Sequence, residues 1–339
     1  KGKILQSQSK RDEAKEYYLK AFEISKRRDN VVVQGEALYY LVALLGSEQI
    51  GKEPNPNMKD ALPYYDQFWK GYQSSPYKAQ VAVACVPALI EAGRTDEALL
   101  NVQSVISEMA KLENPAGLEG AIGSYTKYFL IDQKKKGIEP SDAADKLKNH
   151  YYAFPDVDSK DIRTLAMLRI AVIGVYEDSL KTAKKEGDEA LVSRNQARIN
   201  VAFKELKTTY PVEKLTNFVL VRVGDYLRTK STAPRQALPY YQERLKRPQP
   251  NGRVIAEFGI ADIYGRAGSK DEMTTAIKMM RDIIKQKDSS KANRDKASSR
   301  IVQVYAKQGN WDKVIEEGVL YREKYTKDRT AIQQLLAQA

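Results

Sequence analysis

One histidine and one cysteine bound most of the chemistry this chain of 339 residues could run. A lone His150 excludes a two-histidine metal site and the HExxH pair of a zinc protease. In "NHYYAFP" it has no matching nucleophile, so it reads as a packed or half-exposed ring near a helix end. Cys85 sits in the apolar run "VAVACVPALI", without the cationic neighbours that would favour a thiolate, and reads as a small buried hydrophobe. A single cysteine also rules out an internal disulfide and a cysteine-built zinc cage. "SYTK", Ser124 to Lys127, has the S-x-x-K spacing of penicillin-interacting serine enzymes, but the S-D-N and K-T-G elements which that chemistry needs are absent. Gly51-Lys52 lacks the leading glycine and the following hydroxyl of a phosphate-binding loop, and no G-x-G-x-x-G occurs. The carboxylates are scattered, with no spacing that pairs two as acid and base. The expectation is a protein that is not an enzyme and that uses no cofactor and no metal.

Charge is the remaining chemical signal. The net charge of +12 is concentrated in residues 214–307, which hold 20 Lys or Arg against 9 Asp or Glu, whereas residues 1–213 hold 31 against 30. Arg244, Lys246, Arg247 and Arg253 form one candidate anion- or partner-binding cluster in a loop. Lys285, Lys287, Lys291, Arg294 and Lys296 form a second, and Lys296 and Arg300, four residues apart, share one helix face. Such a segment is either a solvated helical face or the electrostatic footprint for an acidic protein, a lipid headgroup or a nucleic acid. No nucleic-acid-binding motif accompanies it. The longest apolar stretch, Leu38 to Leu45, is far short of a membrane span.

These residues need elements to position them, and the elements are helices. Alternating β-patterns do not recur, and Asn251-Gly252 lies between helical patterns. Three windows repeat one design: "GRTDEALLNVQSV" from Gly93, "GSKDEMTTAIKMM" from Gly268 and "GNWDKVIEEGVLY" from Gly309. Each glycine follows an apolar helix, with Leu89, Tyr264 and Tyr305 four residues upstream, and each is expected to end that helix with a positive φ. The Asp that follows supports the next helix's N-terminus. After the glycine come a small residue and then bulkier ones, as in Ala98, Val102 and Val105.

In this the sequence resembles the tetratricopeptide repeat. Weaker copies follow the same spacing at Ala14, Ala61, Ala143, Ala197 and Ala237, and with Ala98, Met273 and Val314 the steps run from 36 to 54 residues, longer than the family's usual 34. The pentapeptide "ALPYY" appears at Ala61 and again at Ala237, each time at the same point of a second helix, with Tyr65 and Tyr241 inward and Tyr64 and Tyr240 at the edge. The third inward place of the second copy is Arg244; in the Ala197 copy the next places are Val201 and Lys204.

The resemblance implies an all-α, right-handed superhelix of about seven to eight antiparallel helix pairs, a single domain whose first unit has lost part of its leading helix. Approximate units are 1–29, 30–76, 77–113, 114–155, 156–211, 212–248, 249–290 and 291–325, with a capping helix over 326–339. It also implies a protein–protein interaction scaffold, holding a peptide or partner protein on the groove made by the first helices; binding of an acidic polymer is the alternative. In a known variant a carboxylate is clamped by Lys and Asn on successive first helices. Lys296 and Arg300 match its last pair, but Gly259 stands where Asn belongs, and Val221 and Asp225 replace an earlier Lys and Asn. The non-Met start and the single cysteine give a slight preference for a bacterial cell envelope or periplasm over the cytoplasm.

Overall fold

The computed structural model of the chain describes residues 2–7, 10–47, 49–50, 53–110, 117–152, 162–250, 252–287, 289–324 and 329–339. Gly51, Lys52, Pro155 and Asn251, and the expected unit boundaries near 113, 155 and 325, lie outside them. Among the described residues the β-structure is confined to Gln49–Ile50 paired antiparallel with Glu53–Pro54. The rest of the regular structure is helix, and the protein is all-α with seventeen α-helices among the described residues.

The chain groups into two compact units, Lys1–Ile199 and Asn200–Ala339. The first holds α1 (Gly2–Ser7), α2 (Arg11–Arg27), α3 (Val31–Leu45), α4 (Leu62–Gly71), α5 (Lys78–Glu91), α6 (Thr95–Ala110), α7 (Leu118–Lys135), α8 (Pro140–Tyr152) and α9 (Ile162–Glu186). After α10 (Glu189–Thr209), the second holds α11 (Asn217–Lys230), α12 (Leu238–Lys246), α13 (Arg253–Ala267), α14 (Lys270–Lys285), α15 (Lys291–Lys307), α16 (Trp311–Lys324) and α17 (Arg329–Gln338). Helices pack in neighbouring pairs, and the odd-numbered ones also pack on each other in succession. In the first unit α3 meets α5, α5 meets α7 and α7 meets α9; in the second α11 meets α13, α13 meets α15 and α15 meets α17.

Turn chemistry explains the pairing. Gly93 and Gly309 have φ of 79° and 69°. The residues after them donate back to Leu89 O (2.8 Å) and Tyr305 O (3.0 Å), which satisfies carbonyls that the helix end leaves without a partner. Gly268 departs from the expectation, because its φ is −83° with ψ 163°. Glycine is needed there for closeness instead: a Cβ would stand 2.2 Å from Tyr264 O. The next helix starts on a capping box, with the Ser269 N–H donating to Glu272 and the Glu272 N–H to the Ser269 hydroxyl.

The repeat frame marks the core on most second helices, since Ala14, Ala61, Ala98, Ala143, Ala237 and Val314 are all buried. On α14 Met273 is only half-buried and Ala276 takes the enclosed place. On α10 the expected register is wrong. Ala197, Val201 and Lys204 are exposed, and Asn195, Ile199, Ala202, Phe203 and Leu206 are buried. A polar pair sets this face, because the Asn195 amide donates to Ser179 Oγ of α9 at 2.9 Å.

Both "ALPYY" copies begin in a 3-10 turn, over Met58–Ala61 and Pro234–Ala237. Pro63 and Pro239 then stand second in α4 and α12, where a missing N–H costs nothing. Tyr65 and Tyr241 are fully enclosed, and each such burial is worth about 2 kcal/mol. Tyr240 is buried as well rather than at the edge.

Candidate binding surface

In the second unit the odd-numbered helices bring side chains from three successive layers onto one carboxylate. Asp262 of α13 is 0% exposed. Arg228 of α11 reaches its Oδ2 at 2.6 Å, Arg300 of α15 its Oδ1 at 2.7 Å, and Arg266, one turn along α13, bridges both oxygens at 3.1 Å. Burying a carboxylate is costly unless charge and hydrogen bonds repay it, and three guanidiniums supply both.

A second carboxylate joins from α11. Arg228 Nη2 lies 3.0 Å from Asp225 Oδ1, which also accepts from the Tyr241 hydroxyl at 2.7 Å; Arg228 Nε donates to that hydroxyl at 3.2 Å. Burial, and then the Asp225 charge, push the Tyr241 hydroxyl well above the usual tyrosine range, so it remains protonated and donates. Burial works against the Arg228 guanidinium, but Tyr241, Asp225 and Asp262 hold it above the ordinary arginine range. The Tyr241 ring is wedged between α11 and α13, where a Cβ added at Gly224 would lie 2.7 Å from it and one at Gly259 only 2.3 Å. The absence of a Cβ at Gly259 therefore leaves the space that this ring occupies.

The candidate residues fall into two groups. Arg244, Lys246, Arg247 and Arg253 do gather around the end of α12, but their charges are largely spent there. Arg244 is 0% exposed and donates to Arg247 O at 3.2 Å and to Gln249 O. Arg247 donates to Leu215 O at 2.6 Å and Glu213 O at 3.1 Å, stapling the loop to the start of α11. Lys246 and Arg247 share Glu243, at 3.2 Å each, and their hydrogen bonds overcome burial to hold its carboxyl below the usual range. Arg253 pairs with Glu257 at 3.1 Å. Lys296 and Arg300 lie on α15 instead: Arg300 joins the Asp262 cluster, while Lys296 is exposed with no side-chain partner among the described residues. Asp262, Arg228, Arg266 and the Tyr241 hydroxyl are members that sequence reasoning missed. Their only sequence signal is Asp225 and Asp262 recurring on successive odd helices.

Cys85 and His150 are packed side chains. Cys85 is fully buried, and burial pushes its thiol up, away from reactivity. The His150 ring lies half-buried, 5.9 Å from Tyr125 and 5.5 Å from Phe129, and burial lowers its pKa. Lys127 places its ammonium over the Tyr128 ring at 4.9 Å. No group of three or more metal-ligating side chains assembles among the described residues, and no helix described is long and apolar enough to cross a membrane. Against known proteins, the chain matches no family model, no curated protein and no solved structure.

Proposed function

We infer that the chain is a tetratricopeptide-like scaffold without enzymatic activity, in which the helices of each unit wind as a right-handed superhelix and hold a peptide or partner protein. The observation that carries this reading is the succession of odd-numbered helices, which sets Arg228, Asp262 and Arg300 from three of them in one rigid cluster. A surface whose side chains are already fixed loses little entropy on binding. Three arginines against two aspartates, with exposed Lys296 beside them, give it a positive balance suited to a partner's carboxylates. A polyanion drawn to the α12 loop would meet cations already committed to carbonyls and carboxylates of that loop and of the neighbouring elements. The test is affinity capture from the native organism with the intact chain and with Lys296→Glu. The partner should be lost with the variant while folding is unchanged, and equal capture by both would remove this face as the site.

A further inference from the structure

Away from the odd-helix face, α16 carries an apolar stripe that is uncovered. Trp311, Ile315 and Val319, four residues apart, are each between 39% and 44% exposed, while Val314, Gly318 and Tyr321 of the same helix face inward. α17 seats Leu336 over Gly318 and leaves the stripe open. Asp312, Glu316 and Glu323 run along its flank. Glu316 pairs with Lys313, but Asp312 and Glu323 are exposed and have no side-chain partner among the described residues.

The α2–α3 turn has the opposite character. Ile24, Val31 and Val32 are each more than half exposed, at 51%, 51% and 61%. Lys20, Arg27 and Arg28 stand four before, three after and four after Ile24, so they surround it on the helix surface. Lys20 pairs with Glu16 at 3.7 Å, whereas Arg27 and Arg28 are exposed with no side-chain partner among the described residues. Each patch is apolar at its centre, and although Arg322 stands on the α16 stripe and exposed Asp29 beside Arg27 and Arg28, the balance of charge at the two edges is opposite, acidic at α16 and basic at the α2–α3 turn.

We propose that these are the two halves of one head-to-tail contact between copies of this chain, the acid-edged stripe of α16 in one copy seating on the basic-edged patch of α2 and α3 in the next. Joining two different surfaces, the contact is heterologous, so copies add in series until the rotation between them closes a ring or continues as a filament. The apolar centres supply the attraction, and the edge charges fix which surfaces meet.

Sedimentation velocity on the full chain over a concentration series tests this. The average mass should rise from the 38.3 kDa of one chain through the dimer to larger species. Ile315→Asp and Val32→Asp should each give a monomer with an unchanged thermal midpoint, and their equimolar mixture should stop at the dimer, because only one intact pair of surfaces remains. Arg27→Glu with Arg28→Glu should weaken association about tenfold, the scale of two exposed ion pairs. Asp312→Lys with Glu323→Lys in the other copy should restore it. A wild-type chain that stays monomeric overturns the proposal, as does either single variant that still associates with itself, or a mixture that remains monomeric.

Discussion

Replacing Gly259 with alanine probes the packing that holds the Asp262 cluster in place. The new Cβ would lie 2.3 Å from Tyr241 Cζ and 2.4 Å from Cε2. The ring cannot retreat, because on its other side it stands where a Cβ at Gly224 would be only 2.7 Å away. Overpacking of this kind costs about 1–3 kcal/mol. Moving the ring also strains the 2.7 Å bond to Asp225, and a hydrogen bond to a charged group is worth about 2 kcal/mol. Alanine's helix propensity returns about 1 kcal/mol. The net expectation is a loss of about 2–4 kcal/mol, read by equilibrium urea unfolding followed by far-ultraviolet circular dichroism. Gly174→Ala is the control: it lies inside α9 with nothing within 4 Å of an added Cβ, and it should gain about 1 kcal/mol. In a Tyr241→Ala background the cost of Gly259→Ala should vanish. If Gly259→Ala stabilises the chain as Gly174→Ala does, the wedge does not exist.

Asp262→Ala strips the counter-charge from three guanidiniums and should cost about 3–5 kcal/mol in the same assay; Arg266→Ala, which leaves two partners on Asp262, should cost much less. Arg244→Ala should cost about 2 kcal/mol, because it leaves the Arg247 and Gln249 carbonyls without their donor, and a normal unfolding midpoint would refute that role. His150 makes stability depend on pH. Burial lowers its folded pKa, so the unfolded chain binds the proton more readily; the stability contributed by His150 is full above the ordinary value of about 6.5 and is lost as pH falls below it. His150→Phe should flatten that slope in thermal melts between about pH 7 and pH 5, a window set by the ordinary histidine pKa.

Helix pairing is legible in the sequence because glycine and a following capping residue act locally, as at Gly93 and Gly309. The burial of Arg244 is legible too, since the spacing from Ala237 and Tyr241 puts it inward; reading it as a loop cation meant setting that spacing aside. The register of α10 is not. Matching small residues at Ala197 picked the solvent face, and the inward Asn195 is explained only by Ser179 on another helix. The Asp262 cluster is hidden for the same reason. Nothing within α13 tells that Asp262 will be met by arginines from α11 and α15, so Gly259 and Asp225 look like losses from a clamp rather than parts of a different arrangement.

The most direct measurement is site-specific photo-crosslinking in the native organism's extract. A photoreactive residue at Lys296, on the odd-helix face, is compared with one at Lys278, exposed on α14. A scaffold that binds through its odd-numbered helices predicts one dominant crosslinked protein from position 296 and background from position 278. Equal yields from both positions, or background from both, would contradict it.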